Sequence, residues 1–265
     1  LPIYDMLLIF FFFFFQAEDG IRDILIISTP EDISSFERLL GDGLNLGIRL
    51  SYKIQEHPNG LAEAFIIGED FIAGDNVCLI LGDNLFYGQD LTRYLNKAKE
   101  TRKGATIFGY PVKDARPFGV VEFDENWKVI SIEEKPENPK SNFAIPGLYF
   151  YDNQVVNIAK SIKPSERGEL EITAVNNVYL EKGELNVLLF GRGMAWLDTG
   201  SPEGMLKAAQ YVEAVQSRQG FYISCLEEIA WRRNFISSEQ LRNIGESLKM
   251  TDYGKYILSL LNEKE

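Results

Sequence analysis

The tetrapeptide Leu81-Gly82-Asp83-Asn84 follows directly on the apolar run 77–80. In an open α/β sheet, ligands bind beyond the carboxyl ends of the strands, so a carboxylate at Asp83 stands where it can hold a divalent cation for phosphoryl or nucleotidyl chemistry. The same residue types also suit a plain turn, in which Asp and Asn bond their own backbone, and these four residues alone leave both readings open. Asp198, in Gly193-Met194-Ala195-Trp196-Leu197-Asp198-Thr199-Gly200, repeats the pattern at the end of a second apolar run and ahead of a capped helix. It too can be a turn residue. If both are ligands, Asp83 and Asp198 can share one Mg2+, because two carboxylates and a triphosphate supply the hard oxygen atoms that this ion takes.

The cations that such chemistry needs are sparse. Ile132-Glu133-Glu134-Lys135-Pro136 places Lys135 after a strand that the proline ends, although neighbouring Glu and Lys on a surface usually mean little. Arg167, in Pro164-Ser165-Glu166-Arg167-Gly168-Glu169-Leu170-Glu171, precedes a helix expected to begin near Leu170, where a glycine lets the backbone approach a ligand. The single histidine, His57, reads as a loop residue and not as a general base.

The elements that must position these groups follow an α/β pattern from Ile21 onward. Residues 24–27 read as a buried strand, Thr29-Pro30-Glu31-Asp32 opens a helix to about Leu40, and Gly41-Asp42-Gly43 closes it. A half-buried strand at 49–55, a helix at 61–71 and an apolar run at 77–81 suited to a central parallel strand complete a β-α-β-α-β order. Next come a helix over 90–102, strands at 105–110, 119–123, 129–133 and 143–151, helices at 154–161 and 170–181, and strands at 184–190 and 194–197. Ser201-Pro202-Glu203 starts a helix running to about Arg218. Beyond Gly220 only helices are expected, at 226–234, from a capping box at Ser237-Ser238-Glu239-Gln240, and at 252–261. The chain therefore divides into an aberrant N-terminal segment (1–20), an α/β domain (21–220) and a small C-terminal helical appendage (221–265).

With 265 residues, 45% of them apolar, the chain can bury a substantial core. Its net charge of −12 repels nucleic acid polymers and anionic membrane surfaces, so any phosphate site must be built locally. Cys78 and Cys225 lack metal or redox spacing and read as reduced packing residues of a cytoplasmic protein. Residues 6–15, MLLIFFFFFF, are apolar throughout, yet ten residues are about half a membrane span and no Lys or Arg precedes them. An artefactual segment is the leading reading of this run, a genuine buried strand the second, and a membrane tether the third.

From about Ile21 to its end the chain resembles the bacterial glucose-1-phosphate thymidylyltransferases of the sugar nucleotidyltransferase family. The resemblance rests on GIRDILIISTP at 20–30, LLGDG at 39–43, Gly60-Leu61-Ala62, LGDN at 81–84, FGVVEF at 118–123, EEKP at 133–136, GLYFYD at 147–152, RGELEIT at 167–173, the segment 191–200 and DYGKY at 252–256. It implies a Rossmann-like mixed sheet flanked by helices, of the nucleotide-diphospho-sugar transferase type. It also implies that Gln55 and Gly60 recognise the thymine of dTTP and that Asp83 and Asp198 hold Mg2+. Gly119, Glu134 and Tyr149 then line the glucose of glucose 1-phosphate, while Lys135 and Arg167 bind its phosphate. The implied products are dTDP-glucose and pyrophosphate, feeding dTDP-rhamnose or other deoxysugar synthesis, and the implied assembly is a homotetramer. Among the catalytic groups Lys135, Arg167 and Asp83 stand first.

LPIYD at 1–5 resembles the stretch after the family's signature loop, but the loop itself, G-G-x-G-T-R-L followed by a lysine, does not occur in these 265 residues. Impaired dTTP binding and little or no thymidylyltransferase activity are the resulting expectation, because that loop cradles the triphosphate. Phe118 stands where many members carry tyrosine. The alternative function is a non-catalytic protein that binds a sugar phosphate or dTDP-sugar.

Overall fold

The protein is described here from a computed structural model covering residues 11–17 and 20–262. Strand β1 (Phe11–Ala17) pairs antiparallel with β2 (Gly20–Ser28), with Phe11 opposite Ile27 and Ala17 opposite Gly20. Helix α1 (Ile33–Leu40) and one 3-10 turn then lead to β3 (Arg49–Ile54), parallel to β2. The helix expected over 61–71 is two short ones, α2 (Glu63–Ile67) and α3 (Glu69–Ile72), which meet at Gly68, a residue that weakens helix continuity.

Strand β4 (Val77–Leu81) is central, but the expected parallel pairing is not what forms. Both its neighbours, β1 and β10, run antiparallel to it, because β1 doubles back before β2 and occupies the slot beside β4. Residues 84–87, not foreseen as a strand, form β5 (Asn84–Tyr87), and α4 (Leu91–Glu100) follows. Then come β6 (Ala105–Pro111), β7 (Gly119–Phe123) and β8 (Val129–Glu134). The strand expected at 143–151 is split into β9 (Phe143–Ala144) and β10 (Leu148–Tyr151) around Ile145-Pro146-Gly147. Proline has no N–H for a ladder there, and a Cβ on Gly147 would lie 2.6 Å from the Leu81 side chain.

Helices α5 (Val155–Ser161) and α6 (Ile172–Glu181), strands β11 (Leu185–Leu189) and β12 (Ala195–Asp198), and helix α7 (Pro202–Gln219) complete the α/β part. Among the described residues the main sheet has the order β3-β2-β1-β4-β10-β6-β9-β7-β8, with β11 parallel beside β6, and β5 pairs with β12 in a separate ribbon. The mixed α/β architecture is the expected one. Alternate residues of the central strands feed two cores: Leu79, Ile107 and Tyr149 pack toward α2, α5 and α6 on one face, and Cys78, Phe108 and Leu148 pack toward α4 on the other. Cys78 and Cys225 are both buried and unpaired by disulfide, as packing residues should be. Ser201 caps α7 by accepting from Gly204 N at 3.0 Å.

After Gly220, helices α8 (Leu226–Arg232), α9 (Ser238–Ser247) and α10 (Asp252–Leu260) build a third small core around Leu241, Ile257 and Leu260. The capping box at Ser237 and Gln240 forms, with both reciprocal bonds in place. Of the apolar N-terminal run, residues 6–10 lie outside the described residues. The backbone of 11–15 belongs to β1, in the middle of the sheet order.

Candidate active site

Pairing of β5 with β12 sets Asn84 opposite Asp198, and this register brings the two predicted metal ligands together. A Cβ built on Gly200 would sit 2.9 Å from Asp83 Oδ2 and 3.1 Å from Asp198 Oδ1, so both carboxylates face one point and only glycine fits between them. Gly200 N donates to Asp198 Oδ1 at 2.8 Å, while Thr199 donates from both N and Oγ1 to the Asp83 carbonyl, at 2.7 and 2.9 Å. Burial raises the Asp83 carboxyl above its ordinary value, the hydrogen bond from Asn84 pulls it down, and the Asp198 charge raises it further. Two acids that repel each other at one point make a seat that a divalent cation relieves. Among the described residues no cluster of three or more such side chains occurs, so further ligands of an ion here must come from substrate or water.

Asn84 was read only as a companion of Asp83, and its role goes further. It donates to Asp83 Oδ1 at 2.6 Å, and its own oxygen accepts from Gly147 N at 2.9 Å and Trp196 Nε1 at 2.6 Å. Loss of that oxygen would leave two donors unpaired, at a cost of about 1–3 kcal/mol each where they are shielded from water. A cleft of about 370 Å3 lies beside this corner, lined by Gly82, Asp83, Asn84, Leu148 and Thr199 among others.

Among the residues expected to line the sugar, Gly119 lies opposite Glu134 in the pairing of β7 with β8. Alternation along β8 sends Glu133 to the surface, where it meets Lys140 at 2.5 Å, and turns Glu134 toward Thr173, whose hydroxyl donates to Glu134 Oε2. A Cβ on Gly119 would lie 3.4 Å from both Glu134 Oε2 and Thr173 Oγ1, so this glycine keeps the opening in front of the carboxylate clear. Tyr149 is buried on β10, its phenol held well above the usual range by burial and by the charges of Glu134 and Asp83. Thr173 carried no sequence signal except its place in RGELEIT.

Lys135 and Arg167 differ sharply. The Lys135 side chain is exposed and makes no hydrogen bond or ion pair among the described residues, on a backbone with φ of 42° that a non-glycine residue rarely adopts. Its N–H donates to Phe118 O at 3.0 Å, which anchors the turn. Arg167 instead lies among acids: Glu171 at 2.7 Å, Glu169 at 3.7 Å and Glu134 at 3.9 Å. The helix behind it begins at Ile172, two residues later than the sequence suggested.

Gln55 and Gly60 also come together. Gln55 is buried at the end of β3, and its Nε2 donates to Gly60 O at 3.2 Å and Glu63 Oε2 at 2.7 Å, which leaves the side-chain carbonyl free to accept. Gly60 has φ of 102°, and a Cβ there would lie 2.5 Å from both N and O of Leu170. That contact is a backbone clasp, Leu170 N to Asn59 O at 2.6 Å and Ala62 N to Leu170 O at 3.0 Å, joining the Gln55 loop to the segment that carries Arg167. His57 is exposed in the same loop.

Comparison with known proteins agrees with this arrangement. Residues 1–215 match the family described as nucleotidyl transferase. The glucose-1-phosphate thymidylyltransferase of Neisseria meningitidis is 54% identical over 99% of this chain and 91% of its own length. That of Mycolicibacterium smegmatis is 49% identical over 100% of this chain and 91% of its own. A solved Bacillus anthracis structure named for the same activity, in complex with a sucrose, superimposes with a TM-score of 0.67 at 34% identity, covering 77% of this chain and 79% of that one. A UDP-glucose pyrophosphorylase complexed with UDP-glucose shares the fold, with a TM-score of 0.61 at 22% identity over 75% of this chain and 82% of that one. With a carboxylate pair converging beside Gly200, a match of residues 1–215 to the family and about half of its residues shared with these enzymes, the chain belongs to the nucleotidyl transferase family, alongside the glucose-1-phosphate thymidylyltransferases.

Proposed function

We propose that the protein is a glucose-1-phosphate thymidylyltransferase, which joins dTTP and α-D-glucose 1-phosphate into dTDP-glucose and pyrophosphate. The observation that carries this reading is the convergence of Asp83 and Asp198 on one point beside Gly200, within a chain about half identical to enzymes of that name. The sugar phosphate oxygen attacks the α-phosphorus of dTTP, the bond to the β-phosphate oxygen breaks, and pyrophosphate carries away the electron pair. The attacking group is already an anion, so no general base is needed, which fits a site without histidine.

Asp83 and Asp198 suit Mg2+, since each presents a carboxylate oxygen to the same small space and the two repel each other without a cation. When bound, the ion neutralises phosphate charge and holds the phosphates in place. Lys135 and Arg167 hold the sugar phosphate, with Arg167 exchanging part of its contact with Glu171 for the phosphate. Glu134 and the backbone at Gly119 take sugar hydroxyls, and Tyr149 closes the floor. The free carbonyl of Gln55 accepts the N3–H of thymine, which admits thymine and uracil and excludes cytosine, a base without that proton.

Soluble nucleotide and sugar-phosphate substrates place the reaction in the cytoplasm, and dTDP-glucose suits onward use in dTDP-rhamnose and surface polysaccharide synthesis. Among the described residues no helix is long and apolar enough to cross a membrane. A homotetramer is part of the same proposal, supported by the exposed apolar residues Met205 and Leu206 on α7, 46% and 58% accessible.

A pyrophosphate-release assay with dTTP, glucose 1-phosphate and Mg2+ tests the reading. Release is expected only with all three present, and loss of release in Asp198→Asn. Binding of glucose 1-phosphate without any release under these conditions would establish the non-catalytic alternative instead.

A further inference from the structure

We propose that Asn84 is the positioning residue of the metal seat, holding one oxygen of Asp83 so that the other is presented to the cation. The inference rests on the assignment of Asp83 as a metal ligand and deepens it.

The backbone of Asp83 is already fixed, because its carbonyl accepts from both Thr199 N and Thr199 Oγ1 at 2.7 and 2.9 Å. What remains free is rotation of the carboxylate about its side-chain bonds. Asn84 removes that freedom. Its Nδ2 donates to Asp83 Oδ1 at 2.6 Å, and Oδ2 is the oxygen that lies 2.9 Å from the Gly200 position, on the side of Asp198.

The orientation of the Asn84 amide is itself determined. Its oxygen accepts from two groups that can only donate, Gly147 N at 2.9 Å and Trp196 Nε1 at 2.6 Å, so the amide cannot turn over without losing both bonds. Asn84 thus ties three segments, the start of β5, the turn before β10 and β12, to a single carboxylate oxygen. Aspartate in its place would offer the oxygen but no donor, and serine would not span the three partners. An outer hydrogen bond that orients a metal-binding carboxylate is worth roughly 10–100-fold in metal affinity or activity when removed.

The test measures Mn2+ binding by electron paramagnetic resonance in the presence of dTTP, for Asn84→Ala, Asp83→Asn and the double variant. Asn84→Ala is expected to raise the Mn2+ dissociation constant by about tenfold or more, while the KM for glucose 1-phosphate stays within about twofold. In the Asp83→Asn background Asn84→Ala should have no further effect on Mn2+ affinity, since a positioning residue acts through the group it positions. Should Asn84→Ala fail to fold, Asn84→Asp keeps the acceptor for Gly147 and Trp196, and is expected to fold, melting below wild type in chelator because a third carboxylate joins Asp83 and Asp198, with an altered Mg2+ dependence and lower kcat. Wild-type Mn2+ affinity in a folded Asn84→Ala overturns the proposal, as does wild-type Mg2+ dependence in Asn84→Asp. A rise in the sugar phosphate KM alone also overturns it, by assigning Asn84 to the sugar. If Asp83→Asn itself leaves Mn2+ affinity untouched, the metal assignment falls first and separately.

Discussion

The acidic corner and the cationic rim of this site are built on opposite principles. At the corner, Asp83 is held through its side chain by Asn84 and through its carbonyl by Thr199, and Asp198 by the N–H of Gly200. At the rim, Lys135 has no side-chain partner among the described residues and Arg167 has acidic partners that its substrate would have to displace. Ligands for a metal gain from being fixed in advance, because a misplaced oxygen loses the ion. Cations that must receive and release a phosphate gain from being able to exchange partners. The difference teaches that this site fixes its acids through backbone and amide partners, and holds its cations through exchangeable side-chain contacts or none.

Removing the mobile cation is the strongest way to break that contrast. Lys135→Ala should lower kcat/KM by roughly 10²–10³, the usual loss when one charge-stabilising group is deleted. Its melting temperature should stay close to wild type, because the side chain holds nothing in the folded protein. A fall in stability as large as the fall in rate would show that Lys135 is structural.

A smaller effect sharpens the other half of the rim. Glu171→Gln weakens the bond that keeps Arg167 occupied, and the KM for glucose 1-phosphate is expected to drop about two- to fivefold, part of one charge-assisted hydrogen bond. Steady-state kinetics at varied sugar phosphate read this directly. A rise in KM would mean that Glu171 aims Arg167 instead of competing for it.

The smallest effect is on stability and belongs to the acid corner. Burial, with the neighbouring Asp198, keeps the Asp83 carboxyl above its ordinary value of 3.8 in the folded protein. The folded state then holds that proton more tightly than the unfolded chain, so the contribution of Asp83 is fully present below the ordinary value and is lost as pH rises through the raised one. Asp83→Asn, which never ionises, should therefore melt higher than wild type by up to a few degrees at neutral pH without metal. The gap should close as pH falls below about 4, where Asp83 is protonated in both states. Thermal melts across pH in chelator measure it, and a gap that is constant with pH would show that the charge of Asp83 is not the cause.

Much of this was legible in the sequence, for reasons that differ residue by residue. Asp83 and Asp198 each follow an apolar run, which made both visible before any contact was known, although the rule that singled them out concerns parallel strands and both β4 and β12 turn out to have antiparallel partners. Capped helices such as the one from Pro202 announced themselves through Ser201. The direction of β4's neighbours was not legible, because an apolar run records burial on both faces and says nothing of which way its partners run. The break of the 143–151 strand could be suspected from Pro146, but not its purpose, since Gly147 is needed for the space beside Leu81 and for the N–H it gives Asn84. Thr173 and Asn84 escaped notice because their roles are hydrogen bonds across elements far apart in sequence, which no spacing encodes.

The clasp at Gly60 has a consequence for how the two substrates feel each other. Leu170 gives its N–H to Asn59 and takes one from Ala62, so the loop of Gln55 and the segment that carries Arg167 are one laced strip of backbone. Neither can swing outward alone, since opening either end unpicks the same two bonds. A nucleotide that quiets the Gln55 end thereby quiets the Arg167 end too, and the entropy of ordering the strip is lost once, not twice. Under the proposed assignment of the base to Gln55 and the sugar phosphate to Arg167, the second substrate to arrive would find its half of the site already stilled, a route to cooperation that needs no contact between the two ligands.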